Sequence, residues 1–231
     1  MALPKLETPI YELVLPSNNE TIKFRPFLVK EHKILLTLVD TDSENIIKNL
    51  RNIIDVCTFN KLDVDSLPNY DIEYIFVNLR SKSIGEVVNI NLQCVCGEKI
   101  KTNINLNNVK VENKKNVSNI IKINNNISLE FKFPNFSQIM EVYNDSSAVK
   151  IFDLVSGCLK KVTQKNEVYT EFTNEEANEF ISNLTKEEFT KVEEFFVNIP
   201  KVVYRGKAVC EKEKCKQEND ILIQGIDHFF V

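Results

Sequence analysis

The sequence predicts an α+β protein in which amphipathic helices flank antiparallel β-hairpins. Apolar residues recur at helical spacing in two long stretches of the chain. In the segments around these stretches, apolar and polar residues alternate as they do in strands. Two of the predicted hairpins also carry a pair of cysteines at the tip, which adds a zinc-ribbon-like element of four cysteines to the fold.

The N-terminal part is predicted to hold a hairpin and three helices. Alternating apolar residues from Tyr11 to Leu15, turn-forming residues at 17–20 and a return strand at 21–25 indicate the hairpin. The first two helices follow Pro26 and Ser43, and the third begins after Asn69 and ends before Gly85. Their apolar positions are Leu28, His32, Leu35, Leu36 and Val39; Ile46, Leu50, Ile53, Ile54 and Cys57; and Ile72, Ile75, Phe76 and Leu79.

The remainder begins and ends with a hairpin. Strands at 88–94 and 100–106 meet at a cysteine-containing tip, and more antiparallel sheet is expected up to residue 133. The pattern from Phe136 to Phe196 is helical, with one stripe formed by Ile151, Phe152, Val155, Cys158, Leu159 and Val162. Thr173 with Glu176 and Thr185 with Glu188 are capping boxes. After Pro200 the chain ends in a second cysteine-tipped hairpin.

The length of 231 residues is expected to form a single compact unit over 1–231. Its sub-regions are an N-terminal hairpin plus helices at 1–84, a β-rich part with the first cysteine pair at 85–133, a helical part at 134–200 and a C-terminal cysteine-tipped hairpin at 201–231.

Composition excludes several classes of function. An apolar share of 43% argues against wholesale disorder, and a net charge of −4 disfavours a general electrostatic nucleic-acid binder. The five glycines are too dispersed for a P-loop or a dinucleotide-binding fingerprint. No apolar run approaches the roughly 18 residues of a membrane span, and the N-terminus lacks the features of a signal peptide. We therefore expect synthesis in the cytoplasm and no membrane partner.

Four cysteines give the strongest indication of a site. Cys94 and Cys96 lie at one predicted hairpin tip, and Cys210 and Cys215 lie at the other. Four thiolates on two short loops can close a tetrahedral Zn²⁺ site, which would be structural because no coordination position stays open. Zinc binding of this kind supplies on the order of 10 kcal/mol to folding in zinc-finger peptides. The alternative is that the four cysteines are ordinary thiols that hold no metal.

Other candidates for chemistry are weaker. Cys57 and Cys158 lie on apolar helix faces and are expected to be small core residues. Of the only two histidines, His32 is expected to be a surface or boundary residue and His228 to lie in packing or an interface. No catalytic triad is therefore predicted. Lysines at 110, 114, 115 and 122 form a weak nucleic-acid signal without interleaved aromatic residues. We expect no catalytic residue, no small-molecule substrate and no enzymatic activity.

Two aromatic segments leave two interpretations open. The Phe195-Phe196 pair and the C-terminal segment with Ile226, Phe229, Phe230 and Val231 carry more apolar surface than one helical stripe can bury. They either pack within the chain's own fold or form a docking surface for a partner.

Residues at both ends of the chain resemble a known family. The stretch 15–36, centred on the run Phe24 to Glu31, is similar to the N-terminal signature of the baseplate hub subunit and hub-assembly proteins of T-even-like contractile-tailed bacteriophages. The run Phe195 to Lys201 resembles that family's C-terminal pattern. So do the residues after it, namely Cys210, Cys215, Asn219, Ile221, Ile223, the run Gly225 to Asp227, Phe229 and Phe230. The one-residue and four-residue gaps within the cysteine pairs depart from the pattern.

The resemblance implies a non-enzymatic phage tail protein that is made late in the host cytoplasm and acts in assembly of the baseplate hub. Its partners would be other baseplate hub or tail proteins, and its final location is either the host cytoplasm or the virion. An N-terminal arm over residues 1–10 could order on a partner. The alternatives are a zinc-ribbon regulator that binds nucleic acid, and a thiol-dependent enzyme that uses Cys57 or Cys158.

Overall fold

The computed structural model describes residues 6–37, 43–113 and 117–225. Within these ranges no helix is sufficiently long and apolar to span a membrane. The chain divides into two compact units. Unit 1 contains Met1–Val64, Tyr70–Glu112 and Lys201–Val231, and unit 2 contains Asp65–Asn69 and Asn113–Pro200. The expectation that 1–231 forms one compact unit stays a prediction.

The described residues of unit 1 form three helices and three small antiparallel sheets. Its helices are α1 (Val29–Thr37), α2 (Ser43–Cys57) and α3 (Asn69–Ser83). The strands β1 (Tyr11–Val14) and β2 (Thr21–Phe24) form the first sheet, and β3 (Val87–Gln93) and β4 (Lys99–Asn105) form the second. A 3-10 turn at Leu106–Asn108 leads to β5 (Lys110–Glu112). The third sheet has the order β11-β10-β5, with β10 at Lys201–Val209 and β11 at Glu218–Gln224.

The hairpins and helices expected for unit 1 are present. Asn19 at the tip of the β1–β2 hairpin has a φ of +59°, a left-handed conformation that Asn tolerates well. Helix α3 is more deeply buried than its sequence indicates, because Asp71 and Arg80 on its polar face also lie in the interior. Leu36 on α1 is 65% exposed, although its spacing placed it on the buried stripe.

In the part of unit 2 that the structure describes, four helices combine with a four-stranded antiparallel sheet. The helices are α4 (Phe136–Asn144), α5 (Ala148–Cys158), α6 (Asn174–Ser182) and α7 (Lys186–Val197). The sheet has the order β6-β7-β8-β9, formed by β6 (Ile120–Lys122), β7 (Ile127–Phe131), β8 (Leu159–Gln164) and β9 (Glu167–Tyr169). Both predicted capping boxes are confirmed, at the N-termini of α6 and α7. Phe131 and Phe195 lie in the core of the unit.

One helical prediction is wrong. The stripe expected to run from Ile151 through Leu159 and Val162 stops with α5, and the chain continues as strands β8 and β9. Lys165 adopts a φ of +53° at the turn between these strands. Val162 lies opposite Leu129 of β7 and is buried. Its burial was expected from a helix and comes from the sheet instead.

Some expectations concern residues outside the described ranges. They are those for Pro4, Val39, Lys114, Lys115, Ile226, Asp227, His228, Phe229, Phe230 and Val231. The first five residues of the expected N-terminal arm also lie outside them.

Candidate metal centre

The first tip of the centre closes the β3–β4 hairpin. The Cys94 N–H donates to the Glu98 carbonyl, and the Gly97 N–H donates to the Cys94 carbonyl, both at 2.8 Å. Gly97 has a φ of +86°, where a side chain would strain the backbone. This turn holds Cys94 inside the fold and leaves Cys96 exposed at the tip.

The second tip closes the β10–β11 hairpin. The Cys210 N–H donates to the Gln217 carbonyl, and the Cys215 N–H donates to the Lys212 carbonyl, again at 2.8 Å. Cys210 is fully buried and Cys215 is half-buried. Both tips belong to unit 1, although 113 residues separate Cys96 from Cys210 in the sequence.

The structure brings the four predicted cysteines together. All four sulfurs lie within 4.8 Å of one another. Two of the approaches, each 3.8 Å, run across the tips, from Cys94 Sγ to Cys215 Sγ and from Cys96 Sγ to Cys210 Sγ. A one-residue gap at one tip and a four-residue gap at the other therefore still allow the four thiols to converge.

The sulfur cluster has the size that a tetrahedral metal ion requires. A tetrahedron with zinc–sulfur distances of about 2.3 Å has sulfur–sulfur edges of about 3.8 Å, which is the distance across both tip-to-tip pairs. Four thiolates are soft ligands that suit zinc, and they leave no open coordination position for a substrate. Within the described residues this is the sole cluster of at least three potential ligand groups.

Without a cation the thiols of Cys94 and Cys210 differ in how readily they ionise. The backbone N–H of Cys96 and hydrogen bonds from neighbouring side chains lower the pKa of Cys94 to about 7. For Cys210, the backbone N–H of Lys212 lowers the pKa, but burial and the sulfurs around it outweigh this effect and raise it to about 12. A cation bound by all four sulfurs would hold each of them in the ionised form.

Asn219 contacts one of the four cysteines, although the motif spacing assigned it no role. Its side-chain amide donates to the carbonyl of Gln217 at 3.0 Å and also hydrogen-bonds to the Cys94 sulfur. Such outer contacts fix the orientation of a ligand. In the sequence, Asn219 stood out only as one of the residues that resemble phage hub proteins. That resemblance did not specify this contact.

The other two cysteines are core residues, as predicted. Cys57 and Cys158 have no exposed surface. Burial raises the pKa of the Cys57 thiol to about 11 and that of the Cys158 thiol to about 12. A nucleophilic cysteine needs the opposite shift, so these residues lack the property on which a thiol enzyme depends. His32 is half-buried against the Phe27 ring, with 5.9 Å between the ring centroids.

The N-terminal signature run Phe24 to Glu31 has a structural role within unit 1. The Arg25 N–H donates to the Cys57 carbonyl at 2.9 Å, and its guanidinium lies 3.0 Å from the buried Glu31 carboxylate. The Phe27 N–H donates to the Ser83 hydroxyl at 2.9 Å. The run therefore connects β2 to all three helices of the unit.

The C-terminal signature run is structural as well. Phe195 is buried and stacks on Phe131 and Phe133, with centroid distances of 5.7 and 5.5 Å. Phe196 is half-buried and contacts Phe131 edge-on at 5.6 Å. The Phe195-Phe196 pair thus packs within its own unit. Of the two aromatic segments, this one therefore belongs to the chain's own fold and does not form a docking surface.

These features define an α+β protein with a four-cysteine centre held between two hairpin tips and without an identified catalytic site in its described part. Residues 8–231 match the family described as T4 bacteriophage base plate protein, and the chain belongs to that family. A search of curated proteins and a search of solved structures each gave no significant match.

Proposed function

We propose that this protein is a structural component of the phage tail that acts in the baseplate hub, either as a hub subunit or as a hub-assembly factor. The observation that carries the proposal is the family match over residues 8–231, which includes both units. The role therefore belongs to the chain as a whole. The protein would act by binding other tail proteins rather than by catalysis, in the host cytoplasm during assembly and, as a hub subunit, also in the virion.

Zinc is the metal that we propose for the four-cysteine centre. Support comes from the ligand type, from the closed set of four sulfurs and from the 3.8 Å distances across the tips. Cys94, Cys96, Cys210 and Cys215 would be the ligands. The ion would hold the β3–β4 and β10–β11 hairpins in a fixed relation and so give unit 1 a rigid surface.

Elemental mass spectrometry of the purified protein tests the zinc proposal. We expect about one zinc per chain, and loss of both the metal and stability in the Cys94→Ser, Cys210→Ser double variant. Cys158→Ser is the matched control, because it removes a buried thiol of unit 2 and should lower stability without changing the zinc content. Absence of metal from the wild-type protein, with normal folding of the double variant, would overturn the proposal.

Mass spectrometry of phage particles and of tail-assembly intermediates tests the hub proposal. A hub subunit should be present in both, whereas an assembly factor should be present in the intermediates alone. Absence from both, with baseplates that assemble normally without the gene, would contradict either role. Salt-sensitive retention of the protein on DNA or RNA would instead support the zinc-ribbon regulator.

A further inference from the structure

Strand β2 has an open edge in unit 1. Among the residues that the structure describes, β1 and β2 pair with each other and with no further strand. The Leu15 N–H donates to the Glu20 carbonyl at 2.8 Å, which fixes the alternation of the ladder hydrogen bonds along the hairpin. Thr21 and Lys23 then belong to the pairs without ladder bonds. Their backbone N–H and C=O groups therefore point away from β1.

Arg25, the next residue whose backbone faces this edge, shows what kind of group the edge can bind. The Arg25 N–H also points away from β1, and it donates to the Cys57 carbonyl at the end of α2, at 2.9 Å. Thr21 and Lys23 are the two preceding residues whose backbone groups face the same edge, and they are two residues apart. In the described part of the chain, no other backbone group hydrogen-bonds to Thr21 or Lys23 on this edge.

An apolar groove lies beside this open edge. Its volume is about 690 Å³, and its lining includes Thr21 and Lys23 together with the apolar side chains of Ile10, Phe59 and Leu62. Ile10 is 60% exposed and Phe59 is 38% exposed. The groove is large enough to hold several side chains of a bound molecule. Side chains there would lie next to the backbone donors and acceptors on the open edge of β2.

Phe59 occupies a backbone position that does not suit it. Its φ is +64°, and Asn60 follows with a φ of +54° in the turn that ends α2. Asn tolerates this left-handed region, whereas a bulky residue there is an outlier. Outliers of this kind concentrate at binding and functional sites. Phe59 thus has a strained backbone, and its ring is partly exposed in the groove. Folding alone does not favour this combination.

The charges at the groove indicate one further property of its occupant. Lys23 pairs with Glu12 at 3.5 Å, and the Glu20 carboxylate accepts a hydrogen bond from the Asn18 amide at 3.2 Å. Lys61 also lines the groove and forms no ion pair within the described ranges. An acidic side chain on the occupant would complement Lys61.

We propose that an extended segment of a partner protein adds to β2 as a third strand. It would hydrogen-bond to Thr21 and Lys23, insert an apolar side chain beside Phe59 and place an acidic side chain at Lys61. An extended backbone fits this edge because its donors and acceptors recur at the same two-residue spacing, whereas a helix satisfies its own backbone groups. That the partner is another baseplate protein rests on the proposed function.

Amide exchange of the isotope-labelled full-length chain tests the proposal. The probes are overlapping synthetic peptides that cover the other tail proteins of the same phage. We expect a peptide with neighbouring apolar and acidic residues to slow exchange at Thr21 and Lys23, and to leave Glu12 and Val14 on the opposite edge unchanged. Binding in the groove without this protection would overturn strand addition. Protection that rises with protein concentration alone would identify a second copy as the occupant and overturn the assignment to a partner.

Two proline variants form a matched pair for the same measurement. Val14 and Thr21 are opposite each other in register, and each N–H points away from the other strand. Proline is tolerated at such edge positions because no ladder bond is lost. Thr21→Pro removes one donor from the groove edge and should weaken peptide binding at least about fivefold, while Val14→Pro should leave it unchanged. Equal effects of the two variants would contradict the proposal.

Phe59→Asn separates binding from folding. Asn suits a φ of +64°, so we expect an unchanged or raised Tm together with weaker peptide binding. A large fall in Tm would show that the ring serves packing, and the role assigned to Phe59 would be wrong. If no tiled peptide binds while the wild-type chain is found in baseplates or their intermediates, strand addition fails and the proposed function stands.

Discussion

Glu31 and Asp71 are both buried carboxylates of unit 1, and their surroundings shift their pKa values in opposite directions. Burial raises the pKa of Glu31, but hydrogen bonds from Arg25 and the Leu28 N–H, with the nearby cations, outweigh burial and lower it. Burial also raises the pKa of Asp71, and there the hydrogen bonds from the Ser17 hydroxyl and N–H are too weak to reverse the effect. The presence or absence of a cationic partner decides the sign.

Glu31→Gln should destabilise the protein at neutral pH by about 1 to 3 kcal/mol, because the half-buried Arg25 guanidinium loses its charged partner. The folded-state pKa of Glu31 is lowered, so its contribution is present above the ordinary value of 4.5 and is lost as the pH falls through the folded pKa. Urea unfolding at several pH values should show the wild type and the variant converging in acid. A difference that does not change with pH would contradict this assignment.

Asp71→Asn should have the opposite pH dependence. The folded-state pKa of Asp71 is raised, so its contribution is present below the ordinary value of 3.8 and is lost as the pH rises through the folded pKa. Asn keeps an oxygen acceptor for the Ser17 N–H and carries no charge. We expect the variant to gain stability relative to the wild type as the pH rises from 4 to 7 in the same urea experiment.

Asp71→Ala is the control for that experiment. It removes the acceptor for both Ser17 donors, so it should cost about 1 to 3 kcal/mol at neutral pH. If Asp71→Asn loses as much stability at neutral pH as Asp71→Ala does, the carboxylate charge is needed and the reasoning from burial is wrong.

At the scale of elements, the aromatic cluster connects α7 to the sheet of unit 2. Phe195 on α7 stacks on Phe131 of β7 and on Phe133, which follows that strand. The cluster lies in the same core as Leu129 and Val155. A helix that buries one large side chain among three others depends strongly on that residue for its attachment.

Phe195→Ala should destabilise unit 2 by about 3 to 5 kcal/mol, because it leaves a cavity between α7 and β7. Val197 on the same helix is 68% exposed, so Val197→Ala should change stability by no more than about 0.5 kcal/mol. Thermal and urea unfolding of the two variants provides the comparison. Similar losses for both would show that the cluster is not the main attachment of α7.

Local signals predicted the elements more reliably than they predicted burial. Thr173 and Thr185 each precede a Glu three residues later, and such a box acts within one helical turn, so the sequence suffices to place it. Leu159 and Val162 are three residues apart, a spacing that suits one face of a helix, whereas a regular strand would place them on opposite faces. Pairing with β7, about 30 residues earlier in the chain, decides between the two.

At the scale of the whole molecule, the four-cysteine centre belongs to unit 1 alone. It lies at the tips of hairpins whose strands come from the middle and the end of the chain. Metal binding there would offset the entropy of closing a long loop, which is the main penalty for joining such distant segments.

For the proposed zinc site, chelation of the ion should therefore affect the two units differently. We expect amide exchange in β3, β4, β10 and β11 to accelerate markedly when a chelator removes zinc, while exchange in α6, α7 and the unit 2 sheet changes little. Hydrogen-exchange mass spectrometry with and without the chelator measures both. Equal acceleration in both units would contradict a local role, and no change in either would mean that the metal does not stabilise the hairpins.

The sequence by itself determined the α+β class, the four cysteines at two hairpin tips and the core character of Cys57 and Cys158. These features depend on residue type and on spacing within one strand or one helix. Only the tertiary structure decided that Cys94 meets Cys215, that β2 keeps an open edge and that Phe59 has a left-handed backbone beside a groove. Such properties depend on contacts between residues far apart in the chain, and no local pattern encodes those distances.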